Sequence, residues 1–261
     1  MNFVDTHCHL NFPGFQDDLQ SVVESALAAG VTRIVVPGTD LASSQLAVKL
    51  AEKFPPIFAA VGIHPTDIES FHDEHLKQLS SLMHSEKVVA VGEIGLDYYH
   101  RQDRKDQQKV IFRKMLQLAD EHNKPVILHS RNSLADLVGE IKNYRMNNSK
   151  LTCKGVFHAF EGNLAEASEV ASLGFLIGAG GPVTYRSAAV KHQLFSKIEL
   201  KYIVLETDAP FLAPQGQRGK RNEPANIPII AEQVAQLQTC SLEEVAMQTT
   251  RNANLLFDWK E

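Results

Sequence analysis

Short apolar runs recur along the chain, with longer amphipathic segments between them. Eight runs have strand length and are rich in Val, Ile, Phe or Ala: FVDTHC (3–8), RIVVPG (33–38), IFAAVGIH (57–64), VVAVGEIG (88–95), PVILHS (125–130), GVFHAF (155–160), FLIGAGG (175–181) and YIVLETD (202–208). The intervening segments, 17–29, 43–54, 74–84, 106–122, 134–145, 164–174, 188–197 and 227–238, carry apolar residues at helical spacing. Strand and helix therefore alternate through eight units. Nearly continuous apolar strands suit a parallel sheet covered by helices, and eight units in 261 residues predict an α/β fold of the (β/α)8 TIM-barrel type. An open doubly wound sheet is the alternative arrangement. A further helix over 241–257 opens with Ser241 and Glu244, spaced as a capping box. No linker or low-complexity stretch interrupts the pattern, so a single domain over 1–261 is expected.

In such a barrel the chemistry gathers where the strands end and the βα loops begin. His7 and His9 end the first run, His64 the third, Glu93 the fourth, His129 the fifth, His158 the sixth and Asp208 the eighth. Five of the eleven histidines thus fall at strand ends, whereas His72, His75, His84, His100, His122 and His192 lie in polar segments that read as solvated faces. Positions i and i+2 of a strand share a face, so the imidazoles of His7 and His9 are expected to point at one spot. A single strand-end histidine is more often a hydrogen-bonded structural residue than a ligand. Several histidines and two carboxylates at one barrel mouth would each bury a costly polar group, and a shared cation is the simplest common partner. A hydrogen-bonded structural network is the competing reading.

Composition narrows the functional classes. The chain is 44% hydrophobic and 22% charged, an ordinary balance for a globular protein, and no apolar run approaches the ~20 residues of a membrane span. The first residues, MNFVDTHCH, lack the basic and apolar regions of a signal peptide, so a cytoplasmic location without membrane partners is expected. A net charge of −5 argues against gripping duplex nucleic acid over a wide basic surface, and 7% aromatic residues suggest no stacking platform. Cys8, Cys153 and Cys240 have no C-x-x-C spacing, which points to neither a disulfide framework nor a structural zinc site. Cys8, between the two histidines, is expected to be a buried thiol on the opposite face.

The order His7-x-His9, Glu93, His129, His158, Asp208, together with the motifs DTHCHL, GIHP, GEIGLDYY, PVILHSR, LETDAPFLAP and RNEP over residues 5–224, resembles the TatD family of metal-dependent nucleases, within the amidohydrolase-like barrels. Two positions depart from the family pattern. HAFEG at 158–162 stands where a Cys and a Ser are usual, adding Glu161 near the mouth, and Asn11 stands where an Asp is common. The resemblance implies a metal-dependent hydrolase with two divalent ions. His7, His9 and Asp208 would serve one ion and His129 and His158 the other, with Glu93 bridging; Asp208 would also hold or deprotonate the attacking water. Mixed nitrogen and oxygen donors do not single out Mg²⁺, Mn²⁺ or Zn²⁺.

Other residues suggest contacts with substrate. His64 is a candidate for the phosphate or leaving group, or else it fixes the loop ahead of Pro65. Arg131 reaches a phosphate or forms a solvated salt bridge, and Asp97 and Tyr98 shape the loop after the fourth strand. The glycines of IGAGG (177–181) either bring backbone N–H groups to an anion or turn a tight corner. In QRGKRNEP (217–224), Arg218, Lys220 and Arg221 crowd the rim, with Glu223 bonded to substrate or orienting Arg221. By resemblance the expected activity is a phosphodiesterase, a 3′-to-5′ exodeoxyribonuclease on DNA ends. A small-molecule ester, amide or phosphate hydrolase with the same metal site is the alternative. No obligate protein partner is indicated.

Overall fold

The computed structural model describes residues 1–147 and 154–259, so Cys153 lies outside the described residues. Eight strands form one parallel sheet in sequence order: β1 (Phe3–Asp5), β2 (Val31–Pro37), β3 (Ile57–Val61), β4 (Val88–Asp97), β5 (Val126–Arg131), β6 (Gly155–Phe157), β7 (Phe175–Ala179) and β8 (Ile203–Leu205). The helices between them are α1 (Leu19–Ala28), α2 (Leu41–Lys53), α3 (Asp73–Leu82), α4 (Lys105–Glu121), α5 (Leu134–Asn147), α6 (Leu164–Ser172) and α7 (Ala189–Phe195), with α8 (Ile227–Gln238) and α9 (Leu242–Phe257) after β8. The alternation read from the sequence is the observed one, and the barrel excludes the open sheet. No described helix is long and apolar enough to cross a membrane.

Closure is made by single backbone bonds between β8 and β1. Thr6 N donates to Leu205 O at 3.0 Å, Asp208 N to His7 O at 2.8 Å and His9 N to Ala209 O at 2.7 Å. Asp5, fully buried, ties the same seam: its carboxylate accepts from Thr207 N at 3.0 Å and His7 N at 3.2 Å, and pairs with Thr207 Oγ1 at 2.6 Å. β1, β6 and β8 are three residues each, shorter than the apolar runs suggested. Beyond those three residues the backbone keeps only isolated bonds to its neighbours, because it bends to carry polar side chains over the mouth.

Inside the barrel, one buried cluster draws Val4, Val35, Phe58, Ala60, Ile127, Val156, Val204 and their neighbours from successive strands. Only the interior of a closed barrel is common to all of them. Leu256 and Phe257 of α9, with Trp259, pack on this cluster and plug the amino end. The Ser241 capping box is present, with Glu244 N donating to Ser241 Oγ at 3.2 Å and Ser241 N to Glu244 Oε2 at 2.8 Å. Asn252 of α9 donates to Leu200 O and Ile203 O, both at 2.7 Å, which fastens the plug beneath β8.

Removing Asp5 should loosen the seam. Asp5→Ala strands two buried N–H donors and a hydroxyl, at a cost of roughly 1–3 kcal/mol for each group left unpaired, whereas Asp5→Asn keeps acceptors and loses less. Urea unfolding should therefore rank wild type, Asn and Ala in descending midpoint; an Ala midpoint equal to wild type would remove Asp5 from the closure.

Candidate metal centre

The interior rows of the barrel turn polar at its carboxyl end. Two residues beyond Ile127 comes His129, two beyond Val156 comes His158, and beyond Val204 come Glu206 and then Asp208. Alternation along a strand thus delivers side chains from one interior layer into the mouth. Glu93 enters from β4, its backbone N–H held by Gly38 O at 2.8 Å. His7 and His9 follow β1, and Asp208 stands at φ 55°, in the left-handed region that Asp tolerates better than most side chains.

These residues converge. His7 Nε2 lies 3.1 Å from His9 Nε2, and His129 Nδ1 lies 3.2 Å from His158 Nε2. Glu93 sits between the two pairs: Oε2 is 3.2 Å from His7 Nε2 and 3.6 Å from His9 Nε2, while Oε1 is 2.7 Å from His158 Nε2 and 2.9 Å from His129 Nδ1. Asp208 Oδ1 faces His7 and His9 at 3.6 Å and 3.5 Å. His64, read from the sequence as a substrate contact or a loop anchor, joins the cluster, with Nε2 3.4 Å from Glu93 Oε1 and Nδ1 bonded to Thr66 Oγ1 at 2.6 Å. Three sets of donor atoms lie close enough to hold an ion: His7, His9, Asp208; His7, Glu93, His158; and His64, Glu93, His129.

The donor set fits a divalent cation. Buried nitrogen atoms 3.1–3.2 Å apart share at most one proton between each pair, and a cation between them satisfies both lone pairs at once. His7, His9 and His158 all turn Nε2 to the cluster, and their Nδ1 atoms are buried without a hydrogen-bond partner. Electrostatics say the same. Burial drives the His7 pKa down to about 4, aided by repulsion from His158, against the attraction of Glu93. His158 is pushed up to about 10, because its attraction to Glu93 overcomes burial. Glu93 is held well below the carboxylate range: burial opposes this, and His158, His64 and His7 outweigh it. Asp208 is lowered too, its burial offset chiefly by His9, His158 and His7.

Supporting residues escaped the sequence reading. Asp97, read as a loop former, also approaches His129 Nε2 at 3.3 Å and bonds His100 Nδ1 at 2.8 Å, which directs His129 Nδ1 at the cluster. His100 is therefore not merely part of a solvated face; His122 and His192 are half-buried and bonded to Ser80 Oγ at 2.8 Å and Val183 O at 2.9 Å. Glu206 is fully buried, accepts from Ala159 N, and leaves Oε2 unpaired. Burial raises its carboxyl to about 7. A Cβ on Gly178 would stand 2.3 Å from Glu206 Oε2, and one on Gly181 would collide with Leu212 O, so these IGAGG glycines serve close packing. Cys8 is a fully buried thiol whose pKa burial raises further, as expected.

The rim is laced with ion pairs. Arg131 pairs with Glu161, the salt bridge read as the alternative to a phosphate contact. Arg221 is engaged by Asp18, at 2.6 Å and 2.9 Å, and by Glu223 Oε1 at 2.8 Å, so Glu223 orients the arginine. A cavity of about 350 Å³ opens beside the cluster, lined by His129, His158, Asp208, Lys191, Arg131 and Leu212 among others. A second, of about 380 Å³, lies at the amino end between Met83, Lys124 and Phe257, away from every candidate ligand.

Known proteins share this sequence pattern and this fold. The profile of the family described as TatD related DNase matches residues 4–258. An uncharacterized metal-dependent hydrolase of Bacillus subtilis, YabD, is 40% identical over 97% of this chain and 98% of its own length. The crystal structure of YjjV, a TatD homolog from Escherichia coli, superposes with a TM-score of 0.92 at 34% identity, covering 98% of both chains. A TatD family hydrolase of Entamoeba histolytica shares the fold with a TM-score of 0.88 at 24% identity, covering 100% of this chain and 99% of its own.

If the cluster is a metal centre, His7→Ala and His9→Ala should each weaken metal affinity by about 10–100-fold or more while the fold persists. Metal content after dialysis measures this, and full occupancy in both variants would return the pair to a structural role. Metal binding should also release a proton near pH 7, about one per His158 displaced from its protonated form. Calorimetry in buffers of different ionisation enthalpy reads that proton, and an enthalpy independent of buffer would contradict it. The His158–Glu93 pair stabilises the metal-free protein fully below His158's ordinary 6.5 and is lost as pH rises through about 10, so the metal-free melting temperature should fall across that interval.

Proposed function

This chain belongs to the TatD family of metal-dependent hydrolases, and from that premise we propose that it cleaves phosphodiester bonds at DNA ends, in the 3′-to-5′ direction. The observation that carries the reading is the two-sided environment of Glu93. Its Oε2 faces His7 and His9 and its Oε1 faces His129 and His158, an arrangement suited to a carboxylate shared by two cations. His7, His9 and Asp208 would hold one ion and His129 and His158 the other, with His64 beside the second. Divalent ions held there supply Lewis-acid polarisation of the phosphoryl oxygen and activation of water. Imidazole donors favour Zn²⁺ or Mn²⁺; the oxygens of Glu93 and Asp208 also admit Mg²⁺.

The chain's own groups do the remaining work. Asp208 Oδ1 faces His7 and His9, which leaves Oδ2 to orient the attacking water and accept its proton. Asp97 keeps the proton of His129 on Nε2, so that Nδ1 presents a lone pair to the cluster. His64 Nε2, on the far side of Glu93 Oε1, is placed to donate to a non-bridging or leaving oxygen. Arg131 and Arg221 can turn to phosphate only by exchanging Glu161 and Asp18, a modest cost because exposed ion pairs contribute about 0–1 kcal/mol. Those paired arginines and the net charge of −5 favour the second reading, a small ester, amide or phosphate monoester as substrate.

Metal-reconstituted protein tested on end-labelled single-stranded DNA, duplex DNA, RNA and small chromogenic esters and phosphodiesters separates the two. Progressive shortening of DNA from the 3′ end supports the proposal; good turnover of small esters with intact DNA overturns it. Two variants divide the roles. Glu93→Gln should lose metal and most turnover, whereas Asp208→Asn should keep more metal yet lose about 10²–10⁴-fold in kcat if its main task is proton transfer. An unchanged pH–rate profile in Asp208→Asn would count against that task.

A further inference from the structure

Phe211 breaks the ordinary pattern of burial at the mouth. It follows Asp208 by three residues, yet its side chain is 50% exposed. Its backbone is fixed: Phe211 N donates to Asp208 O at 2.9 Å, and Asn222 Nδ2 donates to Phe211 O at 2.7 Å and to Thr207 O at 2.8 Å. Asn222 is itself fully buried. The next residue, Leu212, stands at φ 51°, in the left-handed region a leucine rarely adopts. A mobile loop tip would explain an exposed ring, but a pinned backbone does not; the ring is held out where it is.

The ring also has a defined orientation relative to the centre. It meets Phe12 edge to face, with centroids 5.9 Å apart and planes at 80°, and His9 lies 6.3 Å away at 69°. Phe12 in turn stacks on His9 at 4.5 Å. These contacts support the ring from the side of the cluster and leave half of the side chain exposed. Tyr99 is the other exposed aromatic near the mouth, 61% exposed, but Arg131 covers one of its faces at 5.1 Å.

We propose that Phe211 is a stacking platform for the nucleobase of the nucleotide flanking the scissile phosphate. A base sits one sugar away from its phosphate, and Phe211 sits one side chain away from His9 and Asp208, which face that phosphate in the phosphodiesterase reading on which this inference rests. Every base offers a π-face, so such a platform binds DNA ends without sequence preference. It also supplies contact where Arg131 and Arg221 are already paired. The low aromatic content of the chain does not bear on it, since one ring at the right place is sufficient.

The test uses metal-loaded full-length protein and end-labelled single strands that differ only in whether the terminal nucleotides carry bases or are abasic. Wild type should favour the base-bearing end. Phe211→Ala should raise KM for that end roughly 5–100-fold, with a smaller change in kcat, so that the preference collapses towards one; Phe211→Trp should restore it. Binding without turnover gives a second reading: metal-free wild type should quench a terminal 2-aminopurine, and Phe211→Ala should not. Equal melting temperatures of the variants exclude a folding defect. If wild type and Phe211→Ala both degrade DNA with the same ratio of base-bearing to abasic ends and the same quenching, the platform is wrong while the phosphodiesterase reading stands. If loaded wild type degrades no DNA, both fall.

Discussion

One buried carboxylate organises the mouth of this barrel. Glu93 is almost wholly removed from water and is approached by the ring nitrogens of His7, His9, His64, His129 and His158. A lone charge there would cost several kcal/mol in desolvation, so its environment must return positive charge. Protons alone do so imperfectly. His7 and His158 stack with centroids 4.0 Å apart, and two imidazoliums at that spacing repel; burial, aided by a protonated His158, accordingly keeps His7 neutral. Metal cations spread the same charge over all the nitrogens without crowding protons between them. The scaffold therefore holds its donors converged in one place, as a preorganised site requires.

The barrel contributes rigidity at the points where that geometry is set. Its seam runs directly under the ligands: the bond from Asp208 N to His7 O joins two of them through backbone, and Asp5 holds both His7 N and Thr207 N from below. Across the mouth, Glu206 fills the space a side chain on Gly178 would need and fixes Ala159 N, beside His158. Ala159 and Asp208 both adopt left-handed backbone, at φ 44° and 55°. Non-glycine residues persist in that region only where their surroundings over-determine them, and such positions concentrate at functional sites. Both flank the metal centre.

How much of this is legible in the sequence follows from the range of the interactions involved. Strand alternation is local, so the eight units, the TIM barrel and the side chains emerging at the strand ends could be read in order from His7 to Asp208. The motifs carried the family. What remained hidden depends on partners far apart along the chain. Gly178 reads as a corner until Glu206 is packed against it, and Arg221 reads as a free rim cation until Asp18, 203 residues earlier, takes its guanidinium. Asp97 looked like a loop residue because its tie to His129 crosses between β4 and β5. Phe211 was hidden by averaging: a whole-chain aromatic fraction says nothing of where one ring stands.

The mouth divides its tasks between a buried half and an exposed half. The buried charges and the donor atoms that could hold a metal lie in the buried half, where the low local dielectric strengthens their interactions and salt screens them little. The exposed half holds the Arg131–Glu161 and Arg221–Asp18 pairs, Arg218 beside the Tyr185 ring, and the Phe211 ring. A substrate with several phosphates gains little long-range steering from such a rim, because Arg131 and Arg221 already have carboxylate neighbours and the chain as a whole is acidic. Affinity must then come from contacts made at the centre itself. In the proposed reaction the phosphoryl group would meet the buried donors, and the nucleotide that flanks it would meet the Phe211 ring. This arrangement suits an enzyme that takes chain ends one at a time, since release of a product that held to the rim by many ion pairs would be slow.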